Sequence, residues 1–145
     1  MTASVTSQEA LQLVVSLHRL IRSLRYAVSA PSLQPTQLIV LSQLLEQGPL
    51  RIGTIANRVR CSQPTATTVV TGLEEGGLVR REPDPADGRA TRVVLTELGK
   101  ETIISMANVE AELLSARMAK LPAAEREQLL ALGPVLRQLA ETTDD

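Results

Sequence analysis

Phenylalanine and tryptophan are absent from the 145 residues, and Tyr26 is the only aromatic side chain. Single-stranded DNA and RNA bases are usually held on aromatic platforms, and this chain has nothing from which to build one. A single histidine, His18, removes most metal-ligand sets and most acid–base catalysis. A single cysteine, Cys61, excludes an intrachain disulfide. There is no glycine-rich phosphate loop and no nucleophile-elbow pattern. No apolar run approaches the roughly 18 residues of a membrane span, and the polar start Met1–Gln8 does not read as a signal peptide. The expectation is a cytoplasmic, non-enzymatic protein that needs no metal, cofactor or membrane.

What is present is ordinary in bulk and uneven in detail. An apolar share of 43% and a charged share of 21% are those of one soluble domain with a modest core. That core must be aliphatic. The net charge of −1 conceals a division along the chain. Residues 51–100 carry eight bases against six acids, while residues 101–145 carry four against eight. The positive excess lies in the middle, where a phosphate-binding face would need it.

Thr6 and Glu9 form a capping-box pattern ahead of an apolar stripe through Leu13, Leu17, Leu20 and Leu24, which predicts a long first helix ended by Ala30-Pro31-Ser32. A second helix starts near Pro35 and stops at Gly48-Pro49. Ile52, Ile55, Ala56 and Val59 fit a short third helix within Arg51–Arg60. Ser62 is a good N-cap for a fourth, with Pro64 in its first turn and Gly76-Gly77 at its end. Leu78–Glu82 and Thr91–Leu95 read as two strands flanking a long polar tip, residues 83–90. Thr96 caps a fifth helix from Glu97 to about Ala119, and a final amphipathic helix carries Leu129, Leu132, Leu136 and Leu139. Gly133-Pro134 inside that pattern predicts a kink or two short helices.

Helix, helix, short helix, turn, helix and hairpin is the order of a winged helix-turn-helix. In such a unit the second helix of the motif enters the major groove, so its exposed N-terminal side should be small and hydrogen-bonding. Ser62, Gln63, Thr65, Thr67 and Thr68 supply that side, while Val69, Val70 and Leu73 face inward. Threonine hydroxyls can also simply bond back to the preceding turn. At the hairpin, Asp87 lies two residues from Arg89, where a carboxylate can orient a guanidinium toward a minor groove or a phosphate.

Several blocks resemble the MarR family: Pro35-Thr36-Gln37 through Leu41, Gly48-Pro49-Leu50, Ser62-Gln63-Pro64-Thr65 and Leu73 through Arg81. Asp84-Pro85-Ala86-Asp87-Gly88-Arg89-Ala90, running into Val94-Leu95-Thr96 and Gly99, is the most specific of them. The resemblance spans residues 7–140. It implies a mainly α fold with a small two-stranded β-wing and a helical dimerisation domain. The expected division is a winged helix-turn-helix lobe over residues 33–96 and a dimerisation lobe from residues 6–32 and 97–142. It implies a homodimeric repressor that reads a near-palindromic duplex DNA operator through the helix from Ser62, with Asp87 and Arg89 as wing contacts. It also implies release by a small aromatic or phenolic effector, for which His18, Arg22 and Tyr26 are the candidate ligands. Two positions depart from the family: Thr68 stands where arginine is usual, and Asp87-Gly88-Arg89 replaces Asp-Arg-Arg.

Cys61 has two readings, a small plug in the turn or a thiol placed before a helix N-terminus, where the dipole favours the thiolate. The alternative function is a winged-helix protein–protein adaptor without DNA binding. Salt-dependent duplex binding separates the two.

Overall fold

The computed structural model describes residues 4–28 and 33–142, so the predicted break at Ala30-Pro31-Ser32 lies outside the described residues. Thr6 opens α1 (Ser7–Ala27): its Oγ1 accepts the Glu9 N–H at 3.2 Å, and Glu9 Oε2 accepts the Thr6 N–H at 2.8 Å. Two donors that helix geometry would orphan are thereby satisfied. Then come α2 (Pro35–Gln47), β1 (Leu50–Arg51), α3 (Ile52–Val59), α4 (Gln63–Glu75), β2 (Val79–Asp84), β3 (Asp87–Leu95), α5 (Glu97–Met118) and α6 (Ala123–Glu141). Gly48 ends α2 at φ 81°, a conformation that glycine takes without steric cost.

Three expectations are corrected or narrowed. The sheet has three antiparallel strands in the order β1-β3-β2, because Leu50 pairs with Val93 and Arg51 with Arg92. The long polar tip shrinks to Pro85-Ala86, since the ladder continues outward until Asp84 pairs with Asp87. Its turn is closed by side chains: Asp84 Oδ1 accepts the Ala86 N–H at 2.8 Å, and Asp87 Oδ1 accepts the Arg89 N–H at 3.1 Å. Finally, of a kink or two short helices at Gly133-Pro134, the second is excluded, because α6 runs through Pro134 as one helix. Proline removes a single donor there, and the bonds on either side carry the helix past it.

The chain forms two compact units, Ser29–Asn108 and Met1–Val28 with Val109–Asp145. In the first, Val40, Leu41 and Leu44 of α2 meet Ile55 and Ala56 of α3, Ala66, Val70 and Leu73 of α4, and Leu78, Val79 and Val93. Each fully buried branched side chain contributes about 1.5–3 kcal/mol. Thr96 ties the sheet to α5: its N–H donates to Leu78 O at 3.1 Å, its Oγ1 donates to Gly77 O at 2.6 Å, and the same Oγ1 accepts the Gly99 N–H at 3.0 Å. The contact is so close that a Cβ on Gly99 would lie 2.0 Å from Leu78 O.

In the second unit Arg117 Nη1 donates to Ser23 Oγ at 2.9 Å, and Arg126 Nη1 donates to Leu121 O at 2.8 Å. Its aliphatic side chains are largely uncovered. No residue of α6 is buried, although it carries Leu129, Leu130, Leu132, Leu136 and Leu139.

Candidate nucleic-acid interface

Helix α4 has two unlike sides. Ala66, Val70 and Leu73, at i, i+4 and i+7, are buried in the core. Ser62, Gln63, Thr65, Thr67 and Thr68 are exposed. Ser62 caps the helix: its Oγ accepts the Thr65 N–H at 3.2 Å and donates to Thr65 Oγ1 at 2.8 Å. Thr67 and Thr68 hydroxyls donate to Gln63 O and Pro64 O at 3.0 and 3.1 Å. Their protons are spent on the preceding turn, as the local reading of a threonine-rich helix allows. Oxygen lone pairs and methyl groups remain, able to accept from an exocyclic amine or touch a thymine methyl. Among the described residues the Gln63 amide has no partner, which leaves it both a donor and an acceptor.

One ion pair ties the wing to this helix, and the others brace the sheet. Arg81 donates its backbone N–H to Glu74 Oε2 at 3.1 Å and its Nη1 to Glu74 Oε1 at 2.8 Å, while its Nη2 reaches Thr71 Oγ1 at 3.0 Å. Arg92 Nε donates to Glu82 Oε1 across the ladder at 2.7 Å, and Arg80 approaches the other Glu82 oxygen at 3.4 Å. The Arg92 hydrogen bond holds the Glu82 carboxyl below its usual range. Arg51 Nε donates to Asp84 Oδ2 at 2.7 Å. That bond lowers the Asp84 carboxyl, helped by the Ala86 N–H, and raises the Arg51 guanidinium. Sequence reasoning missed the Arg51–Asp84 and Arg81–Glu74 pairs. A basic residue at a strand end carries no local sign of its partner.

The wing arginine behaves differently from the expectation. Asp87 bonds the backbone of Arg89 and not its guanidinium, which joins none of the four ion pairs among the described residues. Between the N-terminal end of α3, the start of α4 and the wing lies a cleft of about 730 Å³, lined by Arg51, Thr54, Asn57, Cys61, Gln63 and Thr91 among others. Cys61 is half-buried, packing on the core while facing this cleft. His18, Arg22 and Tyr26 are exposed on successive turns of α1, outside this cleft, and Tyr26 is 84% accessible. Among the described residues no group of three or more His, Cys, Asp or Glu could hold a metal, and no helix is long and apolar enough to cross a membrane.

A MarR-family profile matches residues 33–91. An HTH-type transcriptional regulator of Mycobacterium bovis is 31% identical over 129 residues, 89% of this chain and 90% of that protein. The chain belongs to the MarR family. It is a winged-helix, DNA-binding transcriptional regulator, and the family is not one of enzymes. Among solved MarR-like structures, a Pseudomonas aeruginosa protein described as a transcriptional regulator is 30% identical with a TM-score of 0.82, covering 96% of this chain and 100% of its own. Bordetella bronchiseptica BpsR, whose DNA binding is regulated by 6-hydroxynicotinic acid, shares the fold at 22% identity with a TM-score of 0.63, covering 99% of this chain and 100% of its own.

Proposed function

We propose that this MarR-family regulator is a homodimeric repressor that reads a near-palindromic duplex with α4 and is released by a small aromatic acid. The observation that carries the reading is the division of α4: one side is locked into the core, while Gln63, Thr65, Thr67 and Thr68 are exposed on the other. Gln63 is the strongest candidate base reader, because a free amide can bond adenine N6 and N7 together. The winged unit is the DNA-binding lobe in this reading, and α1 with α6 forms the dimerisation lobe. The bare leucines of α6 support a second copy as their cover, since apolar patches of this kind mark interfaces.

The effector part concerns the spacing of the two reading helices. A ligand can weaken DNA binding only by preferring one spacing of the two reading helices, and only by as much as its affinity differs between the two states. His18, Arg22 and Tyr26 offer one cation, one imidazole and one ring on a single helix face, which suits an aromatic carboxylate. The regulation of BpsR by such an acid supports this chemistry.

The test is binding to a duplex enriched from random DNA. Gln63→Ala costs about 1–3 kcal/mol and relaxes preference at one base position per half-site. An unchanged preference at every position removes α4 from the readout. Salicylate and 6-hydroxynicotinate, titrated against the bound duplex, test the effector; no change in affinity with either removes that part.

A further inference from the structure

Arg51 stands at the junction of β1 and α3, on the wall of the cleft that separates the start of α4 from the wing. Asp84 takes only its Nε. Neither terminal nitrogen has a partner among the described residues, and the Arg51 side chain is 46% accessible. The other oxygen of Asp84 is occupied by the Ala86 N–H, and the Asp84 side chain is only 15% accessible. The carboxylate is thus anchored at both oxygens, and the guanidinium it grips is fixed at one edge with the opposite edge free. The cleft also presents Thr54, Asn57, Gln63 and Thr91, and no residue lining it is acidic. Across the ladder, Arg92 has its charge answered by Glu82.

We infer that Arg51 is a contact for a backbone phosphate of duplex DNA, and that Asp84 is the residue that positions it. A guanidinium held through Nε, with both terminal nitrogens unpartnered among the described residues, can match the paired oxygens of a phosphate, and the anchor removes the entropy of ordering a long side chain on binding. Arg51 thereby adds a fixed cation between the reading helix and the free Arg89. This inference rests on the DNA-reading function proposed above.

The experiment compares the salt dependence of duplex affinity for the full chain and for Arg51→Gln, Asp84→Asn and Arg89→Ala. One phosphate contact contributes about 0.9 to the slope of log affinity against log salt, or about 3.5-fold between about 50 and 200 mM salt. Arg51→Gln loses that increment on every duplex sequence. Asp84→Asn breaks the same ion pair but keeps the cation, so affinity falls on every duplex sequence as the arginine loses its anchor, while the slope does not flatten. Amide hydrogen exchange of β2 and β3 separates this result from loss of the wing: in Arg51→Gln the slope falls even after comparison with Asp84→Asn at equal protection. A wild-type slope in Arg51→Gln, or an equal flattening in Asp84→Asn, overturns the inference and leaves the pair as a clasp for the wing. If Arg89→Ala and the Gln63 variant still alter DNA binding, the DNA-reading function survives that result. If the unmodified chain shows no salt-dependent duplex binding, both fall together.

Discussion

Asp87 Oδ1 accepts the backbone N–H of Arg89 at 3.1 Å, so the carboxylate shapes the turn and leaves the guanidinium free. Two roles that sequence proximity merged are thereby separated. Arg89→Ala removes a cation: affinity falls for all duplexes alike and the salt slope flattens by about 0.9. Asp87→Ala removes a backbone acceptor: amides at the tip of β3 exchange faster, while the slope does not flatten. Salt titration together with hydrogen exchange measures both.

Gly99 is a second fixed point. A Cβ there would lie 2.0 Å from Leu78 O, and backbone cannot swing aside as a flexible side chain can. Gly99→Ala destabilises the winged unit by about 1–3 kcal/mol or more, the cost of overpacking a close contact. Thr96→Ala, which deletes the hydroxyl bridging Gly77 O and the Gly99 N–H, costs about 0.5–2 kcal/mol. Urea unfolding checks the order of the two.

Stability should respond to acid in a defined direction. Glu9, Glu82 and Asp84 are all held below the usual carboxylate range in the folded chain, by the Thr6 N–H, Arg92 and Arg51 respectively. A depressed folded pKa gives a contribution complete above the unfolded value, and lost as pH falls through the folded one. Thermal unfolding is therefore flat in these groups near neutrality and declines below about pH 4. Asp84→Asn removes part of that decline.

The exposed leucines of α6 predict an assembly defect. Leu132 and Leu136 are 43% and 38% accessible and sit one turn apart. Replacing both with Glu yields a monomer by sedimentation, and affinity for a two-half-site operator drops more than about tenfold as the linked second head is lost.

Much of this was legible locally. Capping by Thr6, Ser62 and Thr96 sits within three residues of its targets, and the core stripe of α4 follows helical period. What escaped depends on residues far apart in the chain. β1 has two residues and becomes a strand only because β3 pairs with it. Arg51 and Asp84 are 33 residues apart, so no spacing rule joins them. The wing tip read as a loop because Asp, Pro and Gly favour turns, yet the ladder extends to Asp84 and Asp87. In the site, helix α4 was identifiable by its place in the order of elements, its threonines alone being open to a purely local reading. That Thr67 and Thr68 can turn their protons onto the preceding turn was one of two readings of the sequence; which of them held, and that Gln63 is left as the free amide, needed the structure.

In the function proposed here, two copies of this chain read duplex DNA through α4. The most direct test is selection of bound duplexes from random DNA by the unmodified protein, followed by affinity for the enriched sequence over a salt series. The expected product is a near-palindrome whose half-sites lie about 34–36 Å apart, one helical turn, with an affinity that falls steeply as salt rises. No enriched sequence, together with duplex affinity that does not change with salt, contradicts it and makes the winged helix a protein-binding adaptor.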